Sequence, residues 1–325
     1  MATFLTTIEQ ADFDGMPAWR LTAPGGQSAL IAERGATLIS WEPAPGASVI
    51  DGYTSARELT EHIGNRSLVM APWCGRIAEG RFRFSGSDFR ISDAEQAGLG
   101  ARVWAYDFHR VPAGDALQLE TQLPAVDGYP WDLALTVVFS LEGGAQGFEH
   151  LSVTISVRNV SGRAAPVSIG WHPYVALPSM EGISNLSVRI PARTKVLTDS
   201  RMIPLTGDAA FAGVAAPVTV DYLGQYAFDD SFTELVPTED GVVVTSLTNP
   251  ARGEQVLVTQ EPAEAPVVTV FTGDGLPRDP RASIAVEPCS AMPNAFNRAD
   301  SAARILLGPG EVRALTATLS YRPSK

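Results

Sequence analysis

The chain is short of cysteine, histidine and basic charge, and each shortage removes a class of function. Two cysteines in 325 residues, Cys74 and Cys289, belong to no CxxC pair, so the sequence carries neither a disulfide framework nor a zinc-finger signature. A reducing, cytoplasmic setting is expected. The four histidines, His62, His109, His150 and His172, are scattered. No metal-ligand spacing joins the first three, which read as surface or strand residues. No metal site is expected. Net charge is −12, from 24 basic and 36 acidic residues, and there is no basic run. The phosphate interaction would be repulsive, so nucleic acid and anionic membranes are excluded as partners. No run of about 18 apolar residues exists to span a bilayer. The first ten residues have neither a basic region nor a long apolar run, and no secretory signal is expected.

What the chain does have is turn residues and alternation. Its 29 glycines and 24 prolines, with 45% hydrophobic residues, fit many turns around a sizeable core and not a helical bundle. Residues 3–22 read as a hairpin turning at Asp14 and Gly15, and 27–42 as two strands about a turn at Arg34 and Gly35. A short helix is expected near Ser55–His62. Further strands are expected at 80–86, 103–111, 116–123, 132–141 and 150–159. Later ones fall near 186–190, 217–222, 242–247, 255–260, 266–271 and 312–320. Many short strands separated by turns indicate a β-sandwich or barrel. With no repeat and no composition shift, one domain over 1–325 is the simplest organisation.

One stretch organises the rest. In RASIAVEPCSAMPNAFN (281–297), Ile284 and Val286 share one strand face, and Ser283, Ala285 and Glu287 the other. The bulky face suits a core; the small face is expected to leave open space, with Glu287 at a strand end fixed by Pro288. PVSIGWHPY (166–174) repeats the design: Val167, Ile169 and Trp171 face one way, Ser168, Gly170 and His172 the other, and proline follows. A carboxylate and an imidazole placed alike on two strands suggest an acid/base pair across a sheet surface.

These residues carry a resemblance. GWHPYVAL (170–177) is similar to the GxHPYFxL segment of the aldose 1-epimerases (galactose mutarotases), and EPCSAMPNAFN (287–297) to their EPxTxxPxAFN. WCGRI (73–77) with GRFRFSG (80–86), DGYPW (127–131) and FDDSF (228–232) resemble three more segments of that family, all in order. The resemblance implies an all-β fold, a large antiparallel β-sandwich (the mutarotase-like supersandwich) that binds a sugar on a concave sheet face without a cofactor. It further implies Glu287 as general base, His172 as general acid, and Asp229 and Arg76 as residues that hold sugar hydroxyls. Trp73 is a candidate aromatic surface for the pyranose, although packing is its plainer role. Two positions depart from the family pattern: Gly75 stands where the family has asparagine, and Ala97 where it has histidine. Altered contacts to ordinary hexoses are expected from both.

The expected activity is interconversion of α and β anomers of a sugar by acid/base ring opening and closure. Three alternatives stand beside it. They are a catalytically silent sugar-binding protein, an isomerase or cyclase using the same pair on another hemiacetal-like metabolite, and a glycosidase. The glycosidase ranks last because it needs two carboxylates flanking one bond. Cys289, next to Glu287 in sequence, reads as a small packing residue.

Overall fold

The computed structural model describes residues 5–91, 103–144 and 147–324. Two large antiparallel sheets face each other across one apolar cluster. The outer sheet has nine strands in the order Val218–Val220, Ser187–Ile190, Val243–Asn249, Glu254–Gln260, Val312–Arg322, Glu149–Asn159, Leu133–Gly143, Ala116–Leu123, His109–Ala113. The long central strands alternate cleanly. Leu151, Val153, Ile155 and Val157 are buried on one face while Ser152, Thr154 and Ser156 meet more solvent on the other. The inner sheet runs Phe211–Gly213, Ala192–Val196, Asp229–Leu235, Val267–Phe271, Ile284–Cys289, Gly170–His172, Leu68–Met70, with Tyr174–Val175 also pairing to Ile284–Cys289. Ile169, Trp171, Val268, Val270 and Val286 join the outer sheet's apolar residues in the shared core. Their strand neighbours on the opposite face are therefore left to build a surface of their own.

A four-stranded sheet, Thr7–Phe13, Met16–Thr22, Ser28–Ala32 and Thr37–Glu42, precedes these two. Its first hairpin turns at Asp14 and Gly15, both at positive φ, where Asp12 accepts the Gly15 amide at 2.9 Å. The short helix is Ala56–Thr60, capped by the Ser55 hydroxyl on the Glu58 amide.

Two expectations change. The segment expected to be a strand over 103–111 begins as a 3₁₀ turn, Val103–Ala105, and becomes a strand only at His109–Ala113. The Tyr106 amide closes back on the Val103 carbonyl at 3.0 Å, so the alternating aromatics there pack around a turn. Glu287, expected at a strand end, lies inside Ile284–Cys289, which continues through Pro288. Val286 and Ser290 donate their amides to the Pro173 and Ile169 carbonyls at 3.3 and 2.8 Å. The missing donor of Pro288 would point the same way, towards Trp171 by that register, so the bonds from Val286 and Ser290 hold the pair on either side of the gap.

Candidate active site

Strand register assembles the site. Gly170 lies opposite Cys289, so in this antiparallel pair His172 comes level with Glu287, two residues along each strand. On the other flank, Glu287 lies opposite Thr269, and Thr269 opposite Ser231. The result is a row of polar side chains, Ser231, Thr269, Glu287 and His172, across the pocket face of the inner sheet. The Ser231 and Thr269 hydroxyls share a hydrogen bond of 2.7 Å. Asp229 and Phe271 form the next row, two residues on.

The row floors a pocket of about 190 Å³, below the ~300–1,000 Å³ of clefts that take drug-sized ligands and on the scale of one sugar ring. Asn65, Tyr174, Phe271 and Leu276 line one part, and Cys74, Arg76, Asp229 and Pro293 another. The space is smaller than alternation alone suggests. Ser283 and Ala285 are fully buried, the first by a 2.6 Å hydrogen bond to Asp51, the second beneath Tyr174 and Leu276. Only the Glu287 end of the small face opens.

At the floor, His172 Nε2 is 3.3 Å from Glu287 Oε1, and both side chains are almost completely buried. Burial opposes charge on either group. It pushes the Glu287 carboxyl well above its ordinary range, helped by the negative charges of Asp229 and Cys74. It also lowers the His172 imidazole to about 4, with the Arg66 cation acting in the same direction. Both shifts favour the uncharged forms, against the carboxylate base and imidazolium acid expected from the resemblance. His172 Nδ1 has no hydrogen-bond partner among the described residues, so no protein group there locks the tautomer.

The imidazole is held from behind. Its ring stacks on Tyr174, with the ring centroids 5.0 Å apart and an interplanar angle of 23°. The Arg66 guanidinium lies over the Tyr174 ring, 5.1 Å from its centroid. Arg66 is fully buried and ion-paired to Asp51, and it also donates to the Asp51 carbonyl at 3.0 Å. The Ser67 amide fixes the His172 carbonyl at 3.0 Å. Asn65, Arg66 and Thr269 did not stand out in the sequence, and Tyr174 entered only as part of the segment GWHPYVAL. Tyr174 sits two residues beyond His172, whereas Thr269 is brought in by pairing opposite Glu287, which only the register reveals.

Arg76 and Asp229 face the pocket mouth. Asp229 remains solvent-accessible, yet the surrounding walls raise its carboxyl pKa, with Asp230 and Asp274 adding to the rise and Arg76 opposing it. Arg76 lines the pocket, and its side chain makes no ion pair or hydrogen bond among the described residues. Four of the five candidate residues thus come together. Trp73 does not. Its ring is 3% exposed and packs against Tyr129 and Phe296 at 6.2 and 6.4 Å, on the core side of the loop that carries Arg76. The residue after it, Cys74, reaches the pocket in its place.

Gly75 has a local reason. Its φ is +67°, and a Cβ there would meet Pro293 at 2.9 Å. The backbone fits close against the proline, so no side chain can be accommodated without moving Pro293. Ala97 lies outside the described residues. Of the other histidines, His62 stacks on Trp104 at 4.1 Å and His150 Nδ1 meets Ser320 at 2.8 Å, while His109 is exposed on an edge strand. No group of three or more metal-ligating side chains occurs among the described residues, and no helix there is long and apolar enough to cross a membrane.

A deep sheet pocket with one carboxyl and one imidazole in contact defines a class of acid/base proteins built on a β-sandwich. Residues 17–320 match the sequence model of the aldose 1-epimerase family, and the chain belongs to that family. Membership implies an isomerase with a carbohydrate substrate. The chain is 27% identical over 241 residues to the uncharacterised protein YihR of Escherichia coli (strain K12), covering 73% of this chain and 72% of that one. Its fold is similar to galactose 1-epimerase from Lactobacillus acidophilus NCFM, with a TM-score of 0.77 at 16% identity over 99% of this chain and 100% of the other. It is also similar to the GalM/aldose epimerase homologue from C. elegans, with a TM-score of 0.76 at 12% identity over 98% and 100% of the two chains.

Proposed function

We propose that this chain interconverts the α and β anomers of an aldose, with Glu287 and His172 as the proton-transfer pair. The observation that carries the reading is their 3.3 Å contact at the floor of a pocket sized for one sugar ring. Ring opening removes a proton from the anomeric hydroxyl and delivers one to the ring oxygen. In one direction Glu287 accepts and His172 donates. The C1–O5 bond breaks, the aldehyde end rotates, and closure on the other face reverses both roles. Burial favours the uncharged forms of both groups, so this assignment needs a proton to pass across the 3.3 Å contact. Polar groups of a bound sugar replace lost hydration and favour that transfer. The tautomer left free at Nδ1 suits an imidazole that must give and then take.

Arg76 and Asp229 are the residues assigned to sugar hydroxyls, and the reaction as written requires no cofactor. The two unpaired cysteines fit a reducing, cytoplasmic setting.

The test is anomer exchange by NMR across a panel of aldoses. General acid–base catalysis contributes about 10²–10⁴-fold, so Glu287→Gln and His172→Asn should each lower kcat by that order. The double variant should lose little more than either single one, because each proton transfer depends on the other. Near-wild-type kcat in Glu287→Gln with a native melting curve would remove the carboxyl from the mechanism. Saturable sugar binding without exchange would establish the silent binder.

A further inference from the structure

Asn65 lines the pocket, yet the proton transfers make no use of it. It stands in a run of left-handed backbone, with φ of +41° at His62, +73° at Gly64, +55° at Asn65 and +54° at Ser67. Asparagine is one of the few side chains at ease in that region, so the conformation gives one reason for it. The conformation does not account for an amide in the pocket wall with no hydrogen-bond partner among the described residues.

The loop that carries it is pinned. The Asn65 backbone amide donates to the His62 carbonyl at 2.9 Å, and the Ser67 amide to the His172 carbonyl at 3.0 Å. Arg66, between them, is buried in its ion pair with Asp51. A Cβ on Gly64 would meet Leu276 at 2.9 Å, so the loop packs directly on Leu276, which clusters with Tyr174 and Phe271. The free amide is thus held beside an apolar wall.

Strand order decides which part of a sugar reaches it. The inner sheet runs Asp229–Leu235, Val267–Phe271, Ile284–Cys289, Gly170–His172, Leu68–Met70. Glu287 therefore has Asp229 on one flank and His172 on the other, and Leu68 lies opposite His172 on the side away from Glu287. Carried on, that register brings Arg66 level with Tyr174, where the guanidinium is found, and Asn65 next to it. With O1 at Glu287 and O5 at His172, the ring runs from C1 through C2 and C3 towards Asp229. From O5 it runs through C5 towards Asn65. C6 of an aldohexose is bonded to C5.

We propose that Asn65 is a specificity-determining residue whose amide hydrogen-bonds the C6 hydroxyl of a neutral aldohexose, with Tyr174, Phe271 and Leu276 receiving the carbon that bears it. This rests on the acid/base reading above, which sets the direction of the ring. An asparagine amide both donates and accepts, so it matches a hydroxyl in either sense. It carries no charge, and neighbouring Arg66 is already paired with Asp51, so this end suits a hydroxyl and not a carboxylate or phosphate. C6 is remote from the bonds that change. Its contact is made alike in ground and transition states, and shows in KM and not in kcat.

The experiment follows anomer exchange by NMR in full-length wild type and Asn65→Gly. Glycine keeps the left-handed backbone and removes the amide. The sugars are D-galactose, D-fucose (its 6-deoxy form) and L-arabinose (the same ring without C6), with D-glucose and D-xylose as a second matched pair. Wild type should favour the hexose over its analogues by about tenfold in kcat/KM, the worth of one neutral hydrogen bond. Asn65→Gly should raise KM for the hexose by about tenfold at unchanged kcat, and move the analogues by less than about twofold. An equal loss for hexose and analogues, or a fall in kcat for every sugar, is what a merely structural role behind His172 would give, and either would overturn the proposal. So would a wild type indifferent to the C6 hydroxyl, a comparison that needs no variant. Binding without exchange would sink the anomer reading alone; the same ratios are then read as Kd from ligand-observed NMR titrations. No binding of any of these sugars to wild type would overturn both.

Discussion

The burial of Glu287 and His172 ties the stability of the fold to pH in two opposing ways. The folded imidazole stays neutral to about 4, whereas the unfolded one protonates near 6.5. Between these values the unfolded chain binds more protons, so His172 lowers stability as pH falls. His172→Asn removes that slope. Its denaturation free energy from about pH 7 to about pH 5 should drop less than that of wild type, by on the order of 2 kcal/mol, measured by urea titration. Glu287 has the opposite sign. Its folded pKa lies above the unfolded 4.5, so its contribution is lost as pH rises from there towards the folded value. Glu287→Gln should therefore be at least as stable as wild type in mildly alkaline buffer. Gly75 gives a third expectation at this scale. Gly75→Asn should not restore a sugar contact; it should destabilise by about 1–3 kcal/mol, because the new side chain meets Pro293. A thermal melt and a KM measurement on the same variant separate the two effects.

At the scale of strands, most of the outer sheet was legible. Its strands bury one face and wet the other, which leaves a period-two pattern in the sequence. The inner sheet hid more. Ala192–Val196 and Asp229–Leu235 were not recognised as strands. Both carry charged or hydroxyl residues, such as Lys195, Asp229 and Asp230, where a core strand would be apolar. The acid/base pair was visible because each member ends a run of small residues opposite a bulky face. The depth of the site was not, since Asp51 and Leu276, which close the small face at Ser283 and Ala285, come from distant segments. The Arg66–Tyr174–His172 stack was equally hidden, because stacking order is a three-dimensional relation. Its foundation is the ion pair of buried Arg66 with Asp51, which Arg278 also contacts at 3.3 Å. Arg66→Met leaves Asp51 with one cation fewer and should cost about 3–5 kcal/mol, read as a lower urea midpoint.

At the scale of the molecule, the strand Val312–Arg322 is the last in sequence but central in space. It pairs with Glu149–Asn159 on one side and Glu254–Gln260 on the other. Deleting 312–324 should divide the nine-stranded sheet and abolish a cooperative thermal transition followed by circular dichroism. The same placement bears on synthesis. While a ribosome is still making the chain, the two halves of that sheet wait with open edges and no keystone between them. Residues 312–322 must clear the exit tunnel before either edge is closed. Prematurely terminated products should therefore be aggregation-prone even when they contain every residue of the pocket, and holdase chaperones should engage the nascent chain late.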